Sequence, residues 1–118
     1  MDMFDDILTS YLEGTCDAES ELLQRVNRDT YLKETRPHML SGHYQGRLLA
    51  MLSKLVMPQR ILEIGTFTGY ATLCLAEGLV AGGELHTIDI NAELEDRVRS
   101  YFAQSPFGDS IQYHIGDA

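Results

Sequence analysis

Residues 60–70 read Arg60-Ile-Leu-Glu-Ile-Gly-Thr-Phe-Thr-Gly-Tyr70, and the fold of the chain turns on them. Ile61, Leu62 and Ile64 form the short apolar run of a strand buried in a parallel sheet. Gly65 and Gly69 bracket a turn, and Ala71-Thr-Leu-Cys-Leu-Ala-Glu77 follows with helical spacing. Strand, glycine turn and helix open a nucleotide-binding α/β unit. In such a unit glycine lets the backbone pass close to a ligand, and the helix N-terminus faces that ligand.

Upstream of this stretch the pattern is helical. A first helix over residues 4–12 carries the stripe Phe4, Ile7, Leu8, Tyr11 and Leu12, and Gly14 ends it. Asp17 is placed to cap a second helix over residues 18–34, with Leu22, Leu23, Val26 and Tyr31 as its apolar contacts. After Pro37, residues 38–46 lead into a third helix that runs to about residue 55. Leu48, Leu49, Leu52, Leu55 and Val56 are expected to form its buried face, and Pro58 closes it.

Downstream, the helix after the glycine turn runs to about Gly78, and Gly82-Gly83 marks the next turn. Residues 84–90 alternate as a second strand that ends near Asp89. Asn91 caps a helix over residues 92–104 that shows Leu94, Val98, Tyr101 and Phe102 on one face. Pro106 and Gly108 turn the chain into a third strand, residues 110–115. The fold class is α/β: three helices followed by βαβαβ, a parallel sheet in the order 3-2-1. Such a sheet is half of a doubly wound one. The expected organisation is a single domain, with a helical segment at residues 1–58 and a ligand-binding half-sheet at residues 59–118.

Composition narrows the function. A length of 118 residues allows one domain, and 44% hydrophobic with 23% charged residues is ordinary for a globular one. A net charge of −9 argues against a nucleic-acid backbone or an anionic membrane as partner. No apolar run approaches a membrane span, and the acidic opening Met1-Asp-Met-Phe-Asp-Asp6 is the opposite of a signal peptide's basic start. The two cysteines are far apart and Cys74 falls on an apolar helix side, so reduced thiols and a cytoplasmic location are expected.

A dinucleotide fingerprint needs G-x-G-x-x-G at the first turn. Here the spacing is Glu63-x-Gly65-x-x-x-Gly69, and the missing third glycine counts against an NAD-linked dehydrogenase. A carboxylate at Glu63 would repel a pyrophosphate but suits a ligand bearing an ammonium or sulfonium group. S-adenosylmethionine carries both. Its ribose calls for a carboxylate at the end of the second strand, which Asp89 offers. Glu63, Asp89 and Gly116-Asp117 all fall at the C-terminal ends of strands, where open α/β sheets place ligands.

At this point the chain resembles the class I S-adenosylmethionine-dependent O-methyltransferases of the caffeoyl-CoA and catechol kind. The resemblance rests on LEIGTFTGYAT at 62–72, TIDIN at 87–91, IGDA at 115–118 and SGHYQGRLLAMLSKL at 41–55. It implies a Rossmann-like fold of which this is the N-terminal half. It also implies that Glu63, Gly65, Thr66, Phe67 and Gly69 line the methionine end of the cofactor, with Tyr70 following the second glycine. By the same resemblance Asp89 holds the ribose hydroxyls and Ile90 stacks on adenine. Gly116, Asp117 and Ala118 match the loop that reads the adenine edge, and Ser41 matches a contact to the methionine portion. Ala71 departs from the pattern, since members often carry Ser there; Thr72 or the helix N-terminal amides are the candidates to stand in.

The reaction implied is methyl transfer to a hydroxyl of a small acceptor such as a catechol or caffeoyl-type phenol. In relatives of this kind Mg2+ or another divalent cation assists, held by residues that follow the third strand. No catalytic or metal residue is therefore assigned within residues 1–118, and the polypeptide by itself is expected to be inactive. His38 and His43, five apart, have the spacing for a metal pair or a general base, but their place in the lead-in favours partly exposed lead-in residues; His86 and His114, on strands, are expected to be structural. Strand 1 is left with an open edge, so a homodimer or higher homo-oligomer is expected, and related enzymes also pair through their N-terminal helices. A non-catalytic S-adenosylmethionine-binding or interaction module is the alternative.

Overall fold

The structure is a computed structural model that describes residues 5–118; Phe4, expected in the first helix, and the rest of the acidic opening before Asp5 lie outside them. Helices α1 (Asp6–Thr15), α2 (Glu21–Lys33) and α3 (His43–Val56) precede β1 (Arg60–Ile64), α4 (Tyr70–Ala76), β2 (Glu84–Asp89), α5 (Glu95–Gln104) and β3 (Ile111–Ile115). Single 3-10 turns at Pro37–Met39 and Ala92–Leu94 lead into α3 and α5. Among the described residues no helix is long and apolar enough to cross a membrane.

The sheet is parallel and its hydrogen-bonded order is β1-β2-β3. The expected 3-2-1 names the same neighbours counted from the β3 edge. Arg60 to Ile64 pair with Glu84 to Ile88, and Leu85 to Asp89 pair with Ile111 to Ile115. This register brings the C-terminal ends of the three strands to one edge of the molecule. Two further backbone bonds extend it: Gly65 N–H to Ile88 O at 2.8 Å, and Gly116 N–H to Asp89 O at 2.9 Å.

One face of the sheet is covered. Leu85, Thr87, Ile111 and Tyr113 are buried there, together with Leu73 and Cys74 of α4 and Val98, Tyr101 and Phe102 of α5. Phe102 meets Tyr113 edge-to-face at 5.8 Å. The face predicted for the fifth helix is thus the buried one, and Asn91 caps its lead-in turn by accepting from Glu93 N–H at 2.9 Å. The opposite sheet face is open: Leu62 is 66% exposed and Ile64 69%. On it the rings of His86 and His114 lie nearly parallel, with Nδ1 and Nε2 3.0 Å apart.

The helical segment corrects several expectations. Gly14 does not end α1, which continues to Thr15; a side chain there would meet nothing, so the glycine marks no turn. No residue of α1 is buried, and Ile7 and Tyr11 stand in solvent. The second helix begins at Glu21, not at residue 18, because Ser20 rather than Asp17 accepts from Leu23 N–H, at 3.2 Å. Tyr31 is exposed, and Thr30 completes the buried stripe with Leu23 and Val26 because positions 23, 26 and 30 share one face.

The largest reversal is in α3. Leu48, Leu52, Leu55 and Val56 face solvent, and the buried residues are Gly46, Ala50 and Ser53. Small residues let α3 approach α4 closely. A Cβ on Gly46 would fall 2.7 Å from the Tyr70 ring, and one on Gly78 would fall 2.2 Å from the backbone of Ser53. Ser53 Oγ seals the seam by donating to Leu75 O at 2.6 Å. Steric fit, not hydrophobicity, chose the packed face.

Candidate functional site

The turn after β1 is built from left-handed residues at alternate positions. Gly65 has φ 97°, Phe67 φ 49° and Gly69 φ 92°. Gly65 is exposed, and a Cβ there would meet no atom within 4 Å, so its backbone lies open to a ligand. Gly69 is needed for a second reason: a Cβ would sit 2.8 Å from the Phe102 ring. Phe67 carries its unfavourable conformation without glycine's freedom, and its N–H donates to Asp89 Oδ2 at 2.8 Å.

Asp89 ends β2 and is held from both sides. Its other oxygen, Oδ1, accepts from Asn91 N–H at 2.9 Å. Two backbone donors thus fix the plane of the carboxylate at the strand end while lone pairs remain for a ligand.

A crevice of about 380 Å³ opens in front of this carboxylate, lined by Gly65, Phe67, Asp89, Asn91, Arg36, Met39 and neighbours. A smaller recess of about 60 Å³ continues it past Ser41, Thr66, Tyr70 and Ala71, with Met39, Gly65 and Phe67 common to both. Six of the residues singled out in the sequence therefore line one continuous groove: Ser41, Gly65, Thr66, Phe67, Tyr70 and Asp89. A salt bridge of 2.5 Å between Arg97 and Glu34 ties α5 to the end of α2 at its margin.

Glu63 lies beneath the turn, half-buried, and does not line the groove. Its Oε1 accepts from the hydroxyls of Thr72 and Thr87, the latter at 2.7 Å. Burial pushes its carboxyl above the ordinary value, the two hydroxyls oppose that, and the charge of Asp89 adds to it. Thr72 is fully buried against Glu63, so its hydroxyl is not free to take the place of the serine expected at Ala71.

The Tyr70 hydroxyl donates to the Glu19 carboxylate; burial and that carboxylate push its phenol far above the ordinary value. Other expected residues sit apart. Ile90 is 74% exposed. Gly116 is tied to Asp89 through its N–H, and Asp117 and Ala118 are exposed; none of these four lines the groove. His43 is engaged with Asp17 O at 2.6 Å. Among the described residues no group of three or more His, Cys, Asp or Glu is placed to hold a metal ion.

Sequence reasoning missed Met39, Arg36 and Leu94 as groove residues. Met39 falls in the lead-in at residues 38–46, and the 3-10 turn that begins at Pro37 carries it to the groove wall. Pro37 itself was the available signal, since proline at the first position of a turn presets its direction. Leu94 and Asn91 read as core and cap; they serve there and also face the crevice.

Residues 13–118 match the O-methyltransferase family. A caffeoyl-CoA O-methyltransferase from Stellaria longipes is 28% identical over 102 residues, covering 85% of this chain and 41% of that protein. A catechol O-methyltransferase from Mycobacterium tuberculosis is 27% identical over 82 residues, covering 70% of this chain and 37% of that protein. Among solved structures, the O-methyltransferase TomG from Streptomyces achromogenes, crystallised in complex with SAM, superposes with a TM-score of 0.85 at 29% identity. That match covers 94% of this chain and 49% of TomG, so the chain spans less than half the length of each of these three proteins. The fold is the Rossmann-like one of these methyltransferases. The chain belongs to the O-methyltransferase family.

Proposed function

We propose that this member of the O-methyltransferase family binds S-adenosylmethionine in the groove at the C-terminal ends of β1 and β2, as the cofactor-holding part of an enzyme that methylates a hydroxyl of a small phenolic acceptor. The observation that carries the reading is Asp89: a carboxylate oriented by two backbone N–H groups, facing a crevice of about 380 Å³ floored by the open backbone of Gly65. That volume is in the range of small-molecule sites, about 300–1,000 Å³. TomG, crystallised with SAM, supports the choice of ligand.

In this reading Asp89 accepts from the two ribose hydroxyls, and Gly65, Thr66 and Phe67 present backbone and side chain to the rest of the cofactor. Ser41 closes the narrow end of the groove, where the methionine portion fits. Glu63, behind the turn, supplies negative charge toward the cationic end. Ile90, Gly116, Asp117 and Ala118 are assigned to the adenine, at the outer rim. When bound, S-adenosylmethionine supplies an activated methyl on a sulfonium. The chain's residues orient it. For the divalent cation of related enzymes, no group of three or more His, Cys, Asp or Glu among the described residues is placed to hold it.

Two further readings go with this one. Self-association is supported by the exposed apolar stripe of α3 and by the open edge and face of β1. A cytoplasmic location is supported by the free thiols of Cys16 and Cys74.

Calorimetry with S-adenosylhomocysteine tests the proposal. Wild type should bind, and Asp89→Ala should weaken binding by about tenfold or more, the worth of a charge-assisted hydrogen bond. Equal affinity of the two proteins would refute the assignment. A radiolabelled methyl-transfer assay with catechol is expected to show no turnover by residues 1–118, and clear turnover would overturn that part.

A further inference from the structure

Three buried threonines meet at Glu63. Thr66 is 3% exposed, and Thr72 and Thr87 are fully buried. The Thr87 hydroxyl donates to Glu63 Oε1 at 2.7 Å, and the Thr72 hydroxyl donates to the same oxygen. Thr66 Oγ1 lies 2.6 Å from Thr87 Oγ1. With Glu63 ionised, the one proton of the Thr87 hydroxyl is spent on it, and Thr66 is then the donor to Thr87. The direction of every bond is then fixed: Thr66 to Thr87 to Glu63, and Thr72 to Glu63.

All donors end on one carboxylate oxygen. Among the described residues Glu63 Oε2 has no hydrogen-bond partner. The three threonines come from three elements: Thr66 from the glycine turn, Thr72 from α4 and Thr87 from β2. Asp89, on β2, is the charged group that acts on Glu63, and it disfavours a second negative charge. Burial works the same way. The hydroxyls are what oppose both.

We propose that Thr66, Thr72 and Thr87 are positioning residues for the cofactor groove, a hydroxyl relay that favours the charged form of Glu63 beneath the glycine turn, from where that charge acts on the ligand's cationic end. Because Thr66 belongs to the turn that lines the groove, the relay also couples the place of that turn to the charge on Glu63. The part concerning the ligand rests on the proposed S-adenosylmethionine reading; the part concerning the charge does not.

The test has two arms on the same proteins: wild type, Thr87→Val, Thr87→Ser, Glu63→Gln and the double variant Glu63→Gln/Thr87→Val. In the first arm the Glu63 side-chain carboxyl is titrated by carbon NMR without ligand, its resonance assigned by its loss in Glu63→Gln. Thr87→Val should titrate at a higher pH than wild type, and Thr87→Ser near wild type. An unmoved midpoint in Thr87→Val, or failure of serine to restore it, overturns the relay. In the second arm S-adenosylhomocysteine affinity is measured at pH 7. Thr87→Val should lose about tenfold, the worth of a hydrogen bond to a charged group, and serine should recover it. Within Glu63→Gln the added Thr87→Val should cost less than about twofold, since the coupled partner is gone. Independent, additive losses overturn the positioning role. If wild type binds no S-adenosylhomocysteine, the cofactor reading and the ligand part of this proposal both fail, and the first arm still decides the relay.

Discussion

Gly78→Ala is the substitution that most directly tests the α3–α4 seam. A Cβ at Gly78 would lie 2.2 Å from the Ser53 carbonyl carbon and 2.4 Å from its oxygen, where ordinary contact begins at 3.4 Å. The obstacle is backbone, so no side chain can rotate away; α3 must retreat by about 1 Å. Overpacking of this kind costs about 1–3 kcal/mol. Separation also breaks the Ser53–Leu75 hydrogen bond of 2.6 Å, worth about 0.5–1.5 kcal/mol. Reduced freedom of the unfolded chain returns about 0.4–1 kcal/mol. The net loss is about 0.5–4 kcal/mol, against the roughly 5–15 kcal/mol that holds a domain together.

Gly14→Ala is the control. It is the same chemical change inside α1, where an added Cβ meets nothing within 4 Å, so it should stabilise by about 0.5–1 kcal/mol. Urea denaturation followed by circular dichroism reads both. The seam also has a bearing on the groove, because Ser41 precedes α3 and Tyr70 begins α4, and both line the narrow recess. Spreading the helices should therefore weaken S-adenosylhomocysteine binding as well as stability. Gly78→Ala within about 0.5 kcal/mol of wild type, or a shift of the same sign in the two variants, would refute the close-packing argument.

Three other outcomes are expected. Burial pushes the Cys74 thiol up to about 11, so at pH 8 a thiol reagent should label the half-buried Cys16 and leave Cys74 untouched in the native protein; rapid uptake of two equivalents would contradict this. Glu63 has its folded pKa raised above 4.5, so it binds its proton more tightly when folded. Its contribution to stability is then fullest below about pH 4.5 and declines as the pH rises through the folded value; stability of wild type minus that of Glu63→Gln should fall over this interval, and a rising difference would refute the sign. Finally, Leu62 and Leu55 are 66% and 73% exposed, so Leu62→Lys or Leu55→Lys should reduce self-association seen by light scattering, and unchanged mass across all three proteins would exclude these surfaces as the interface.

How far the sequence could be read depended on what each residue was being asked to do. Residues 60–70 state a strand and a glycine turn in local chemistry, so β1, its turn and the start of α4 were legible, as were Asp89 at the end of β2 and the packed face of α5. α3 was not legible by hydrophobicity. Its leucines are the obvious core stripe, yet the helix turns Gly46, Ala50 and Ser53 inward because the facing surface carries Tyr70, Cys74 and Gly78 at contact distance. Which of two faces wins depends on the shape of a partner that the helix's own residues do not describe.

The same distinction runs through the groove. Asp89 announces itself as a carboxylate at a strand end, but what makes it a binding group is the N–H of Phe67, available only because Phe67 accepts a left-handed conformation. Thr66, Thr72 and Thr87 look like ordinary strand and helix residues, spaced 6 and 15 apart without a motif. Folding places Thr72 and Thr87 on one carboxylate, with Thr66 bonded to Thr87 behind them. Glu63 was legible as a charge before the turn, whereas its environment was not: the sequence suggested a carboxylate aimed at a cation, and the structure sets two hydroxyls on one of its oxygens and leaves the other unclaimed. A half-buried acid beside a second acid holds its charge only if something local donates to it. At Glu63 those donors are threonines, whose methyl groups fill the core while their hydroxyls serve the carboxylate. Valine would keep the packing and remove the donor, which is why the Thr87→Val and Thr87→Ser pair separates the two roles.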